Sequence, residues 1–383
     1  MFDRLFGKKA SHERTDISKR FNLIGRVGQG SMSKVWKATD LQTGRLVALK
    51  VLDKEKTAKF EARFQGLHKP HEGEIASSLD HPNIVKTYEF GWTLEDEMFL
   101  VMEFVEGVSL SLLVDLQNEE MNRYRLRYMI QIGEALNHFH QKNWIHRDIC
   151  PRNLMITAEK SAKMIDFGLV VPNTPDFRKP GNRTGTAMYM APELIKRQTT
   201  DQRLDIFSYA VSCYEMYTRR FPWDAAQTLE AVLQHINQPP LNLSTLLPTI
   251  DKQVSAAIMK GLAANPDERW QNVSDMVAEF REAEARAMKT AREAAAANPT
   301  SQTAPASTKT SPTAGLASKP REKPVMPAAS HPPLVAAPAA KRPGEKPGGQ
   351  PSSAGTAPKK SAAGKPKKRP ADDDIDLNEM FAD

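Results

Sequence analysis

Two periodicities divide the first 297 residues of the chain. From Phe21 to Leu52, short apolar runs alternate with Gly-rich turns ("FNLIGRVGQG", "KVWKA", "RLVALKVL"), which predicts antiparallel strands joined by hairpins. A charged helical stretch is expected over about 58–79, followed by two more strand-like runs, "NIVKTYEFGW" and "MFLVMEFV". Beyond Gly107 the apolar positions recur at helical spacing, predicting helices over 122–142, 202–218, 225–237, 251–263 and 272–295. A small strand-rich half followed by a larger helical half implies an α+β protein of two lobes, joined near Glu103–Gly107, with a cleft between them. The stretch "DMVAEFREAEARAMKTAREAAAA" (275–297) opens with Met276, Val277 and Phe280 and continues as Ala and charge alone. That pattern predicts a last helix that begins in the core and runs out into solvent over 283–297. No internal repeat is evident.

Composition changes this picture at the C-terminal end. From about Asn298 to Pro370 the chain is Ala, Pro, Lys, Ser, Thr and Gly, and no aromatic residue falls between Phe280 and Phe381. Such a segment buries too little apolar surface to offset its chain entropy, so 298–383 is expected to be disordered. The net charge of +7 also has its source there: 298–371 carries thirteen Lys and Arg against Glu322 and Glu345, and the last dozen residues return six acids. The first 297 residues are left near neutrality, so the basic balance says little about the folded part. Cys150 and Cys213 are the two cysteines, which excludes a disulfide framework and points to a reducing, cytoplasmic setting. No apolar run reaches 18 residues, and the start "MFDRLFGKKASHER" lacks a signal-peptide core. Phe2, Leu5 and Phe6 among Arg4, Lys8 and Lys9 suit either a weak membrane-surface contact or an ordinary frayed terminus.

Candidate chemistry begins at "GRVGQGSMSKVWKA", where Gly28 and Gly30 allow backbone N–H groups to approach phosphate oxygens, and Ser33 stands where a third Gly of G-x-G-x-x-G would be. Lys50 in "LVALKV" follows Gly28 by twenty-two residues and can reach over that loop if a carboxylate holds it. Glu72 is the first candidate for that carboxylate, and Glu74, on a different helical face, is the fallback. The strongest signals are "HRDICPRN" and "MIDFGLV". Asp148 is placed to accept a substrate hydroxyl proton, while Asn153 and Asp166 are the oxygen ligands for Mg²⁺ or Mn²⁺. "GTAMYMAPE" (185–193), "DIFSYA" (205–210) and "PDERW" (266–270) follow in order.

In that order and at those spacings, the chain resembles a eukaryotic-type (Hanks-type) serine/threonine protein kinase, in the version widespread in bacteria. The resemblance covers roughly residues 21–282. It implies a bilobal kinase fold with an N-lobe over 21–102, a hinge at 103–107 and a C-lobe over 108–282, preceded by an extension at 1–20. It further implies that Gly28, Gly30, Val35 and Ala48 cover ATP, that Met155 is the adenine floor, that Met102 is the gatekeeper, and that Glu103–Val105 binds adenine through its backbone. Lys50 and Glu72 resemble the activating ion pair, Glu193 and Arg269 a buried structural pair, and Asp205 the residue that braces the catalytic loop.

One position departs from the family pattern. A Lys two residues after the catalytic Asp is usual, and here that position is Cys150, which supplies no cation. Arg152, four residues after Asp148, is the expected substitute, since receptor-type tyrosine kinases place a compensating Arg at this offset. Thr186 in "GTAMYMAPE" nevertheless favours Ser or Thr substrates, because that is where the Ser/Thr class has its substrate-pocket Thr. A redox role for Cys150 would need its thiol pKa lowered by Arg147 and Arg152. The competing readings are a pseudokinase scaffold, suggested by Cys150 and Ser33, and a small-molecule phosphotransferase of related fold. In the activation segment, Asn182 occupies the usual phosphosite, leaving Thr174 and Thr184 as candidate phosphosites able to pair with Arg147. The basic tail lacks aromatic interleaving, which argues against nucleic acid, and the acidic "DDDIDLNEMFAD" is a candidate docking motif for a partner.

Overall fold

The computed structural model describes residues 14–29, 32–64, 66–180, 184–223 and 238–297. Gly30, the helix expected at 225–237, Asn182 and the tail from residue 298 lie outside the described residues.

A short helix α1 (Ile17–Arg20), capped by the Asp16 carboxylate, leads into five strands: β1 (Phe21–Gln29), β2 (Ser33–Asp40), β3 (Leu46–Leu52), β4 (Thr87–Trp92) and β5 (Met98–Glu103). They form one antiparallel sheet in the order β1-β2-β3-β5-β4. Alternation along the almost fully buried β3 divides its residues between two cores. Val47, Leu49 and Val51 join Phe21, Phe99 and Val101 in a small cluster on one face. Ala48 and Leu52 face the main core with Leu100 and Met102. Lys50, in step with Ala48 and Leu52, is thereby carried to the cleft side of the sheet.

Between β3 and β4 the single helical stretch expected over 58–79 is two helices. α2 (Lys54–Glu61) is capped by the Asp53 carboxylate, and α3 (Glu72–Ser77) begins after a break. The break follows from "GLHKPH": Gly66 takes φ +80°, open to glycine at no steric cost, and Pro70 disfavours helix in the residue before it. The run "NIVKTYEFGW" becomes a strand only at Thr87. Its first residues pair elsewhere, with Val85 N donating to Met164 O (2.8 Å) and Met164 N to Asn83 O (2.9 Å), which ties this stretch to the helical lobe.

The helical lobe opens with β6 (Gly107–Ser109) and a helix not foreseen from the sequence, α4 (Leu110–Leu116), too short for its period to register but capped by Ser109 Oγ. α5 (Glu119–Gln141) follows, with short strands β7 (Trp144–Ile145), β8 (Leu154–Thr157), β9 (Ala162–Met164) and β10 (Val171–Pro172). The remaining helices are α6 (Pro192–Ile195), α7 (Arg203–Thr218), α8 (Leu243–Leu246), α9 (Lys252–Gly261) and α10 (Val273–Ala297). α5 meets α7 and α10 at Gly133, where a Cβ would overlap Val277 and the Tyr209 hydroxyl. α10 packs through Met276, Val277, Phe280 and Ala283 and is exposed from Ala285 to Glu293, as its composition suggests.

An Arg–carboxylate fork fastens α6 to the segment between α9 and α10. Arg269 Nη1 and Nη2 donate to the two Glu193 oxygens, each at 2.7 Å, with both residues buried.

Candidate active site

Strand β3 and helix α3 bring the first cluster together. Lys50 Nζ donates to Glu72 Oε1 at 2.5 Å and to Asp166 Oδ1 at 2.6 Å. Burial works against the ammonium, but Asp166 and Glu72 outweigh it and hold the Lys50 pKa above its ordinary value. Burial also opposes charge on Asp166, and Lys50 overcomes it, leaving that carboxylate below its usual range. For Glu72 burial wins, and its pKa is raised. Glu72 is the first residue of α3, where the positive end of a helix favours a carboxylate. Glu74, the fallback, accepts instead from the His71 backbone N–H at 3.1 Å and serves as a cap. Next to Glu72, Gly73 lets α3 lie flush on β4: a Cβ there would run into the Phe90 ring.

The second cluster is the loop after β7. Asp205, fully buried on α7, accepts from the backbone N–H groups of His146 and Arg147, both at 2.8 Å, and lies 3.0 Å from His140 Nε2. These bonds over-determine a backbone that Arg147 would not adopt unaided, at φ +69°. The Arg147 side chain is buried and donates through Nη2 to Phe177 O at 2.9 Å, while its Nε and Nη1 have no partner among the described residues. Burial pulls its pKa down to about 10.

Asp148 is then held on both oxygens. Oδ1 accepts from Thr186 N and Thr186 Oγ1, each at 2.8 Å, and Oδ2 accepts from Asn153 Nδ2 at 2.7 Å. Asn153 Nδ2 also donates to Asp148 O at 2.9 Å, which turns the amide oxygen away from these partners. Gly185, beside Thr186, takes φ +122°, and a Cβ there would stand 2.5 Å from Arg147 O. Gly185→Ala is therefore expected to displace Thr186 from Asp148, lowering stability by about 1–3 kcal/mol. Thermal melts on the purified variant check this, and an unchanged melting temperature would refute it.

Cys150 and Arg152 converge on the same hydroxyl. Cys150 Sγ is 3.8 Å from Thr186 Oγ1, and the exposed Arg152 donates to that oxygen through Nη2 at 3.5 Å. The thiol is not the activated one that a redox role would need. Burial first, then the neighbouring Asp148, pushes its pKa up to about 12, so it is a neutral packing group at physiological pH.

Of the residues expected around a nucleotide, the sheet supplies Val35, Ala48 and Met102, with Val35 opposite Lys50 and Ala48 opposite Met102 in register. Glu103 and Val105 lie on the connection between lobes, and Met155 on β8. Glu103 accepts from Lys163 Nζ at 2.8 Å, and its N–H donates to Lys86 O, also at 2.8 Å. At Gly28 an added Cβ would meet only Val35, at 3.6 Å, so the fold itself does not demand glycine there. A cavity of about 380 Å³ is lined by Asp148, Asp166, Lys50 and Glu72, and it extends behind α3 toward α2 rather than toward Val35 and Ala48.

Of the candidate phosphosites, Thr174 is half-buried and its carbonyl accepts from Phe177 N and Arg178 N. Thr184 is 6% exposed and its Oγ1 has no partner among the described residues. Sequence reasoning did not single out Gly73, Gly185, His140 or Lys163. Gly185 stood inside a quoted motif, but its positive φ and its approach to Arg147 O leave no mark on composition or period.

Residues 21–283 match the family model of the protein kinase domain. Among curated proteins, the chain is 30% identical over 270 residues to the serine/threonine-protein kinase PrkC of Bacillus subtilis, covering 70% of this chain and 41% of PrkC. It is 32% identical over 268 residues to a probable serine/threonine-protein kinase of Streptomyces coelicolor, covering 68% and 39%. It is 32% identical over 275 residues to the serine/threonine-protein kinase PknB of Mycolicibacterium smegmatis, covering 69% and 43%. The match thus spans about two fifths of the length of these relatives.

Proposed function

The chain belongs to the protein kinase family, and from that premise we propose that it transfers the γ-phosphate of ATP to serine and threonine hydroxyls of proteins, itself included. The observation that carries this reading is the pairing of two clusters. Lys50 is locked between Glu72 and Asp166, and Asp148 is held by Asn153 and Thr186. A scaffold that only grips nucleotide has no use for the second cluster.

In this scheme Lys50, fixed by Glu72, positions the phosphates of ATP. Val35, Ala48, Met102, Met155 and the backbone of Glu103–Val105 enclose the adenine. Gly28 leaves backbone bare where phosphate approaches, which fits a glycine whose Cβ the fold would tolerate. Asp148 accepts the hydroxyl proton as the oxygen attacks the γ-phosphorus and the bond from that phosphorus to the bridging oxygen breaks to release ADP, and Thr186 and Asn153 hold its carboxylate in the orientation that permits this.

The oxygen donors suit a small hard cation. Asn153 spends its N–H₂ on Asp148, and Asp166 Oδ2 accepts no hydrogen bond among the described residues. No cluster of three or more His, Cys, Asp or Glu side chains is arranged for a resident metal among the described residues. An ion held by one amide, one carboxylate and phosphate fits that pattern. Asn153 and Asp166 would hold Mg²⁺ or Mn²⁺, which when bound neutralises phosphate charge.

Arg152 supplies the cation that Cys150 does not. Its contact with Thr186, which in turn bonds Asp148, places a permanent positive charge beside the base. Thr186 at this place, together with the names of the relatives, supports Ser or Thr over Tyr as the substrate hydroxyl. The free, buried Cys150 and Cys213 support action in the cytoplasm. No described helix is long and apolar enough to cross a membrane. A protein partner for the acidic stretch 372–383 completes the reading.

The test is transfer of labelled phosphate to the chain itself, to a basic protein and to small alcohols. Protein labelling is expected, with kcat in Arg152→Ala falling ~10²–10³-fold and KM for ATP little changed. ATP binding without transfer to any protein would overturn the proposal in favour of a scaffold. Small alcohols accepting phosphate as well as protein would overturn it in favour of a small-molecule enzyme.

A further inference from the structure

Residues 173–178 form a turn that the phosphotransfer scheme leaves unused. Thr174 O closes it, accepting from Phe177 N at 3.0 Å and from Arg178 N at 3.1 Å. The Asn173 side chain spends both ends of its amide here. Its Oδ1 accepts from Arg178 Nε at 2.8 Å, and its Nδ2 donates to Gln202 Oε1 at 2.6 Å, at the cap position of α7. Two backbone bonds tie the same turn to the helical lobe: Asn173 N donates to Asn143 O at 2.8 Å, and Thr200 N to Arg178 O at 3.0 Å. Asn173 and Thr200 are buried, so water competes little for these bonds.

What this turn presents to the catalytic loop is the carbonyl of Phe177. Arg147, directly before Asp148, donates to it through Nη2 at 2.9 Å, and the Phe177 ring packs on Phe64 with centroids 5.6 Å apart. A neutral carbonyl is a modest partner for a buried guanidinium. It serves only if the chain that carries it is already ordered, because a loose turn would have to give up its own entropy to make the bond. The bonds of Asn173 and Arg178 supply that order from unmodified side chains. A phosphate on Thr174 or Thr184 would be a stronger partner for Arg147, but the geometry does not wait for one.

We propose that Asn173 and Arg178 are positioning residues: they clasp the turn to Gln202, hold Phe177 O against Arg147, and so set the catalytic loop for transfer without phosphate on Thr174 or Thr184. The clasp itself is independent of the kinase reading; only its effect on turnover rests on it. Asn173 is the member to change, since its amide joins Arg178 to Gln202. Alanine removes both bonds. Aspartate keeps the bond from Arg178 and adds charge to it, and Gln202 can turn its amide to donate to the second carboxylate oxygen.

Kinetics and hydrogen–deuterium exchange on the full chain test this. Thr174→Ala/Thr184→Val, stripped by a phosphatase that is then removed, is expected to phosphorylate a basic protein within about threefold of the untreated parent, as is the stripped parent over its first turnovers. Asn173→Ala is expected to lose kcat about tenfold with KM for ATP little changed, and Asn173→Asp to recover most of that loss. Amide exchange over 173–178 should be at least about threefold faster in Asn173→Ala than in the parent, and close to the parent in Asn173→Asp. A larger loss in the stripped parent overturns the proposal, because the segment would then depend on phosphate. So does unchanged exchange in Asn173→Ala, or a lower melting temperature with kcat kept, which would make the clasp a matter of stability alone. Faster exchange in Asn173→Ala in a chain that transfers no phosphate to any protein would support the clasp and sink the kinase reading instead.

Discussion

Asp148→Asn is expected to lower kcat by ~10³-fold or more while leaving nucleotide affinity within a few-fold of the parent. Two losses combine. The amide cannot take the hydroxyl proton, and it can imitate only one of the two carboxylate oxygens. Its oxygen can still accept from Thr186 N and Oγ1, but its nitrogen then faces Asn153 Nδ2, donor against donor, where Asp148 Oδ2 accepts at 2.7 Å. The Asn153 amide thus loses one of its two bonds and keeps the one to Asp148 O, although neither residue is expected to carry the adenine. Single-turnover kinetics beside calorimetric titration with ATP separates the two steps. A variant within tenfold of wild type at saturating ATP would remove Asp148 from the role given to it.

The second large effect falls on the fold. Arg269→Lys is expected to lower stability by about 3–5 kcal/mol, a fall of roughly 6–15 °C in melting temperature for a domain of this size. All of the guanidinium nitrogens are engaged: Nε donates to Ala263 O (2.6 Å), Nη1 to Glu193 and Arg203 O, and Nη2 to Glu193 and Ala264 O. An ammonium has the charge but neither the fork nor the reach, and it leaves buried acceptors unmet. Activity per folded molecule, measured at low temperature, should survive. Scanning calorimetry decides the matter, and a shift below about 2 °C would mean that the fork contributes little net stability.

How much of this was readable in advance varies with the kind of interaction. The strand-rich half, the long helices and the two lobes follow from period alone, because they bury apolar faces that the sequence must supply in register. The choice of Glu72 over Glu74 rested on helical facing, and the pairs at Lys50 and at the cap sort the two carboxylates the same way. The 58–79 stretch has the charge pattern of one helix, and Gly66 and Pro70 divide it in two. α4 was missed because seven residues give too few turns for a period. At the candidate active site, the motif residues that come together stand plainly in the sequence, but what holds them does not. His140 on Asp205, Gly73 under Phe90 and Gly185 against Arg147 O are contacts between segments distant in sequence or matters of backbone sign. At Cys150 the inert replacement favoured by the sequence agrees with a thiol whose pKa burial and Asp148 raise, and the alternative redox role, which needed Arg147 and Arg152 to lower it, does not.

The buried hydroxyl of Thr184 has a consequence measured in time. Were Thr184 phosphorylated, phosphate could reach that oxygen only after the segment lifts away from its packing, and the rate of marking would be the rate of transfer scaled by the small fraction of molecules that are open. Thr174, half-buried, carries a smaller handicap of this kind. The two sites would then behave as a fast and a slow hand on one clock, with Thr174 labelled first and Thr184 recording how long the chain has been held in working conditions.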